Sequence, residues 1–350
     1  MRILIFRLGA FGDVLVTTPV IRYLASQGHE LIYVANERGV QVLKNNPHIK
    51  LLIEQKTDEV KTENLPEHID YLKRKHRCER VIDFSESIEV ALSQHPRSPN
   101  YKLPKAERIA RFNRNFYEYA FEHMANHVYP EIDEAWMERR AEHIYGGPQP
   151  NSFFRPELFF DKSEIDEAKK YLKDGYFNIL IGMSGSGTNK TWPHTEELCT
   201  RIANEIPEAH MITVGDYRST LIEPVIPDRI TNISGKIPMR ISMALTSLCD
   251  LVISPDTGLL HAAGCYKTPK IGILGHNTIE CITKHFENDY SVESDPSKAE
   301  CSPCLFLIYN KNLQCPTVER FGGASLCMAE GIPTNTVFDK VKSVYLSSKG

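Results

Sequence analysis

IFRLGAFGDVLVTTP, residues 5–19, is the stretch on which the fold turns. The apolar run Ile3-Leu4-Ile5-Phe6 reads as a buried strand. It breaks into a loop carrying Gly9 and Gly12, and Asp13 then opens an apolar segment that reads as a helix over 14–26. Gly28 falls where a C-cap glycine stops such a helix. Asp13 has two readings here. It is either a helix N-cap that accepts an early backbone N–H, or a carboxylate presented at the lip of a sheet. The spacing G-x-x-G-D is not the G-x-G-x-x-G fingerprint of dinucleotide binding, which argues against a nicotinamide oxidoreductase.

Working outward, short β-branched or apolar runs recur at 2–6, 31–34, 51–53 and 80–84, separated by helical text. A second series follows at 177–183, 210–214, 230–233, 251–254 and 270–274, with helices expected over 195–206 and 238–248. Strands alternating with helices build a parallel sheet covered on both faces. Glycine and proline crowd without periodicity over 143–156 and mark a connection. The expected architecture is α/β: two Rossmann-like, doubly wound domains facing a central cleft. Residues 1–160 form the first, 161–332 the second, and the helical text of 333–350 closes the chain. One further helix is expected over 106–124, with Arg108, Arg111 and Arg114 on one side.

Composition excludes several classes. With 350 residues, 25% of them charged, and a net charge of −4, the chain has an ordinary globular balance and no basic excess for nucleic acid. No apolar run approaches the roughly 18 residues of a membrane span. Arg7 cuts the first run short of a signal-peptide core, so the expected location is the cytoplasm. The basic run KRKHRCER at 73–80 and the three arginines offer a peripheral contact for a phosphorylated lipid core, but ordinary solvated surface is the preferred reading.

In open α/β sheets, ligands bind beyond the carboxyl ends of the strands. Besides the Asp13 loop, two others occupy such ends. GMSGSGTNKTWP, residues 182–193, has glycines at P-loop spacing, but its lysine falls at 190 instead of directly after Gly187. What remains is a loop of small residues with one cation, and Ser186, Thr188 and Lys190 are its candidate phosphate contacts. SPDTGLLHAAG, residues 254–264, ends a strand and leads through Asp256, Thr257 and Gly258 into a short helix carrying His261. Its capping residues and free N–H groups suit an anion.

R-x-G-x-x-G-D-V-L-x-T-x-P at the N-terminus, paired with D-T-G-L-x-H-x-A-A late in the chain, resembles glycosyltransferase family 9, the ADP-heptose:lipopolysaccharide heptosyltransferases and their relatives. Lys190-Thr191-Trp192-Pro193 matches a lysine-bearing loop of the same family. The resemblance runs from Met1 to about Val337. It implies a GT-B fold, with the acceptor held by the first domain, the nucleotide sugar by the second, and the last helix packed back on the first. It implies inverting transfer without a catalytic metal, from a nucleotide sugar such as ADP-heptose to a glycan, a lipid-linked core or a protein acceptor. The general base falls on Asp13. The diphosphate contacts fall on Lys190 and on Asp256-Thr257-Gly258, with His261 nearby, and a ribose contact falls on Asp216. The competing reading is a non-catalytic nucleotide-sugar binder or assembly subunit on the same fold.

Four of the nine cysteines, Cys301, Cys304, Cys315 and Cys327, cluster in residues 301–327. A C-x-x-C pair followed by two single cysteines has the count for a tetrahedral sulfur site, and reduced thiols are the alternative. Family members that modify autotransporter proteins carry a similar cluster that holds iron. The resemblance therefore implies a structural iron or zinc, placed to organise a contact in a homo-oligomer.

Overall fold

A computed structural model describes residues 1–56, 59–85, 103–129, 150–183, 185, 187–305, 315, 317–318 and 323–350. The chain divides into two compact units. Unit 1 holds the described residues within 1–91 and 115–159, and unit 2 those within 92–114 and 160–350.

Unit 1 is a parallel sheet in the order β3-β2-β1-β4, formed by Arg2–Phe6 (β1), Glu30–Ala35 (β2), Leu51–Glu54 (β3) and Arg80–Asp83 (β4). The continuous apolar text of β1 and β2 has its cause here: Ile3, Leu4, Ile5, Phe6, Tyr33 and Val34 are all fully buried, as strands covered on both faces require. Phe11–Ser26 (α1) follows β1, Glu37–Leu43 (α2) follows β2, and Leu65–Lys75 (α3) precedes β4. The first helix starts three residues before the expected position, so Asp13 lies inside its first turn and Ala10 is the N-cap. Gly28 closes it at φ +76°, a left-handed conformation that favours glycine.

The helix expected over 106–124 is in fact two, Lys105–Phe112 (α4) and Phe116–Val128 (α5). Asn115 breaks the run by capping the second helix, where its side chain accepts the Tyr117 and Glu118 N–H groups at 3.0 and 3.2 Å. The break is also a unit boundary, with α4 in unit 2 and α5 in unit 1. Arg108 is not part of a solvated face. Its Nε donates to the Cys304 carbonyl at 3.2 Å, and Lys105 reaches the carbonyls of Glu300 and Ser302.

Unit 2 is a six-stranded parallel sheet of Phe177–Gly182 (β5), Ala209–Val214 (β6), Ile230–Asn232 (β7), Leu251–Pro255 (β8), Lys270–Leu274 (β9) and Val292–Glu293 (β10), in the order β10-β9-β8-β5-β6-β7. Counted from its own first strand, this is the 3-2-1-4-5-6 order of the Rossmann fold. The two-residue β10 escapes periodicity because it is too short to show any.

Five helices of this unit matter below: Lys162–Lys169 (α6), Thr195–Glu205 (α7), Met239–Leu245 (α8), Gly258–Gly264 (α9) and Thr334–Ser347 (α10). The last helix belongs to unit 2. Val337, Phe338, Val341 and Val344 form one apolar stripe of α10, and it is buried in the same core cluster as Leu198 and Ile202 of α7 and Ile271 and Ile273 of β9. Each such side chain contributes roughly 1.5–3 kcal/mol, which commits the helix to unit 2.

Candidate active site

In each sheet the strand order reverses at one point, between β1 and β4 in unit 1 and between β5 and β8 in unit 2. Loops diverge there and leave a crevice beyond the strand ends, the usual ligand position of such sheets.

At the unit 1 reversal, Arg7 directly follows β1 and Asp13 lies in the first turn of α1. Their side chains pair at 2.7 Å, Arg7 Nη2 to Asp13 Oδ2, with 7% and 12% of each exposed. Arg7 Nη1 also donates to the carbonyls of Phe84 and Ser85, at 2.9 and 3.2 Å, in the loop after β4. The guanidinium thus ties the two strand ends together and is fixed in place. Asp13 Oδ2 additionally accepts the Ala10 N–H at 2.9 Å. Among the described residues, neither contact uses Oδ1, so one carboxylate oxygen remains to accept a proton. Gly9 passes directly over the Asn36 amide, where a Cβ would sit 2.9 Å from Nδ2.

At the unit 2 reversal, Asp256 follows β8 and is 3% exposed. Lys190 Nζ lies 3.1 Å from its Oδ2, and Asn277 Nδ2 donates to the same oxygen at 2.8 Å. His261 Nε2 stands 3.7 Å from Oδ1, and His276 Nε2 3.7 Å from Oδ2. Burial alone would raise the Asp256 carboxyl, but Lys190, His261 and His276 hold it well below the ordinary carboxylate range. Burial and the Lys190 charge push His276 down to about 3, so this ring is neutral. Gly185 explains the small residues of the loop, because a Cβ there would meet Lys190 Cβ at 2.7 Å and Thr257 Cγ2 at 3.1 Å. Trp192 anchors the loop, with its Nε1 donating to the Ile332 carbonyl at 2.8 Å from a buried site.

The structure therefore brings Lys190, Asp256, Thr257, Gly258 and His261 together at the carboxyl end of β8. Thr257 caps α9 through its hydroxyl, which accepts the Leu259 N–H at 3.2 Å. Ser186 and the Thr188 side chain lie outside the described residues. Asp216 lies exposed two residues beyond β6 and caps its own turn, accepting the Ser219 N–H at 3.1 Å. Residues missed from sequence are Arg7, His276 and Asn277. Each lies within three residues of a strand's carboxyl end, the one signal that could have flagged them.

Among the described residues, no three His, Cys, Asp or Glu side chains are grouped to hold a metal ion, and Cys301, Cys304, Cys315 and Cys327 are free thiols. Three of these are neighbours electrostatically. Burial, followed by the charge of Cys315, raises Cys301, while burial and the charges of Cys301 and Cys315 raise Cys327 to about 11.

The sequence profile of the family described as glycosyltransferase family 9 (heptosyltransferase) matches residues 74–305. The chain belongs to this family. It is thus a glycosyltransferase, an enzyme of the heptosyltransferase class. A lipopolysaccharide heptosyltransferase 1 of Campylobacter coli is 25% identical over 294 residues, 79% of this chain and 84% of that protein. Among solved structures, the E. coli ADP-heptose lps heptosyltransferase II superposes with a TM-score of 0.66 at 16% identity, covering 100% of both chains. The iron-containing dodecameric glycosyltransferase TibC of enterotoxigenic E. coli gives 0.61 at 14% identity, covering 100% of this chain and 80% of its own. These likenesses agree with the two Rossmann-like units of a GT-B fold. No helix among the described residues is long and apolar enough to cross a membrane.

Proposed function

We propose that this family 9 enzyme transfers a heptose from ADP-heptose, with inversion and without a catalytic metal, to a hydroxyl of a glycan, a lipopolysaccharide core or a protein. One observation carries the reading: the two strand-order reversals bear complementary groups, in unit 1 a carboxylate with one oxygen uncommitted among the described residues, and in unit 2 a buried cation.

The acceptor hydroxyl must shed its proton as it attacks the anomeric carbon, and Asp13 Oδ1 is the atom to take it. Arg7 and the Ala10 N–H hold the carboxylate through Oδ2, so the base is oriented without its reacting oxygen being consumed. The nucleoside diphosphate departs with added negative charge. Lys190 and the N–H groups of the Thr257-Gly258 turn supply the compensation, with Ser186, Thr188 and His261 around them and Asp216 toward the ribose. This is the work a divalent cation does in other transferases, and the protein's own cation suits it. Location in the cytoplasm, with peripheral contact to a membrane-borne acceptor, fits a donor made inside the cell.

A non-catalytic nucleotide-sugar binder is the second reading. It is favoured by the Arg7 pair, which gives Asp13 a structural task. Two assays separate the readings. Thermal shift across a panel of nucleotide sugars identifies the donor, because a ligand of the native state raises the melting point. Slow hydrolysis of that donor in EDTA without acceptor marks an enzyme, whereas binding without turnover marks the binder. Strict dependence on added magnesium or manganese contradicts the metal-free route.

Cys301, Cys304, Cys315 and Cys327 form a donor set that suits a structural iron or zinc, which would tie their segment and a subunit contact together. Close to one metal per chain by elemental analysis, lost when Cys301 and Cys304 are both replaced by serine, is the expected result. Four freely titrating thiols with negligible iron and zinc overturn it.

A further inference from the structure

His276 is the unexplained group of the unit 2 crevice. It lies two residues beyond the end of β9, is 2% exposed, and its Nε2 has no hydrogen-bond partner among the described residues. Buried polar atoms are ordinarily paired, so an orphan aimed into a binding site calls for a reason. The atom points at Asp256 Oδ2 from 3.7 Å, about 0.8 Å beyond a normal N–H···O bond. Lys190 Nζ occupies that same oxygen at 3.1 Å.

We propose that His276 is a positioning residue which takes over the place of Lys190 on Asp256 when a donor diphosphate draws the lysine away. The inference rests on the reading of this crevice as the donor site. A carboxylate as buried as Asp256 cannot give up its cation without compensation, and an uncompensated one would hold Lys190 back from the diphosphate. Asn277 already donates to Oδ2 at 2.8 Å, and His261 stands beside Oδ1. The neutral imidazole at the third side closes on Oδ2 by a small side-chain rotation, as its main chain is pinned by the Leu305 N–H on its carbonyl at 3.0 Å. Lys190 then belongs to the ligand and Asp256 remains hydrogen-bonded.

The test uses ADP as probe, with calorimetry and donor kinetics. His276→Phe should weaken ADP binding by about tenfold, the worth of one hydrogen bond to a charged group, and raise the donor KM more than it lowers kcat. His276→Gln keeps a side-chain donor and should stay within about threefold of wild type. In an Asp256→Asn background, His276→Phe should cost nothing further, because there is no carboxylate left to satisfy. A packing role for the ring would cost the same in both backgrounds and would not be rescued by glutamine, and either result overturns the exchange. Should His276→Phe fail to fold, the wild-type protein decides the matter. With nitrogen-15-labelled histidine, Nε2 of His276 should acquire a hydrogen-bond shift on ADP addition, and an unmoved resonance overturns the proposal. Wild type that ignores ADP altogether defeats the donor-site reading itself, whereas wild type that binds ADP without the His276 effects defeats only the exchange.

Discussion

Asp13 and Asp256 are built from the same grammar: a strand ends, a carboxylate appears near the start of a helix, and a cation lies within 3.1 Å. Their surroundings make them opposites. Asp13 is 12% exposed and, among the described residues, both its contacts fall on one oxygen. Asp256 is 3% exposed and is approached on both oxygens by Lys190, Asn277, His261 and His276. The cations differ too. Arg7 is locked by two strand-end carbonyls, whereas Lys190 is a point charge on a glycine-bearing loop. A fixed cation beside a half-committed carboxylate suits an oriented base. A loop-borne cation beside a carboxylate approached on both oxygens suits the capture of an anion.

That contrast can be broken by mutation, beginning with the largest effect. Asp13→Asn should reduce transfer by roughly 10²–10⁴-fold, the usual share of general base catalysis, and leave the melting point near wild type. A variant that unfolds, yet has normal activity per folded molecule, would reduce Asp13 to a cap. Lys190→Ala should slow transfer by roughly 10²–10³-fold, as for loss of one preorganised donor. It also strands Asp256, so chemical denaturation should register a stability loss of roughly 3–5 kcal/mol. Arg7→Lys keeps the charge but cannot span carboxylate and carbonyls together. Steady-state assays should show transfer down by about tenfold, a modest loss of orientation, with the donor KM unchanged.

A further test is of pH dependence. Folded His276 titrates at about 3, below the ~6.5 of an unfolded histidine. Between those values the unfolded chain binds a proton that the native one refuses, so stability falls as pH drops from about 6.5. The slope is about 1.4 kcal/mol per pH unit for this group. His123 and His210, also lowered mainly by burial, act with the same sign. Asp256 contributes stability above the ordinary carboxylate pKa that is lost at still lower pH. Denaturation curves from pH 7 to 4 should show a shallower decline for His276→Gln.

How much of this was legible in the sequence depends on where the information resides. Strands buried on both faces write themselves as apolar runs, so β1 and β9 match their expected limits. Loop motifs carried Asp13, Lys190 and Asp256, because the chemistry needs those residue types beside small neighbours. Partnership was not legible. That Arg7 reaches across to the loop after β4, or that His276 and Asn277 converge on Asp256, depends on strand order, and no local pattern encodes it. The split between α4 and α5 was hidden because the helical pattern continues across Asn115, and only its cap geometry ends it. The stripe of Val337, Phe338, Val341 and Val344 on the final helix is in plain view in the sequence, but the core cluster it joins in unit 2 is not.

The division of labour between the two carboxylate loops is tested most directly by calorimetric titration of ADP, in EDTA, into wild type, Asp13→Asn and Lys190→Ala. The account predicts that Asp13→Asn binds ADP as wild type does while its transfer activity is lost, and that Lys190→Ala binds at least tenfold more weakly. Equal weakening by both substitutions, or undiminished binding by Lys190→Ala, would contradict it.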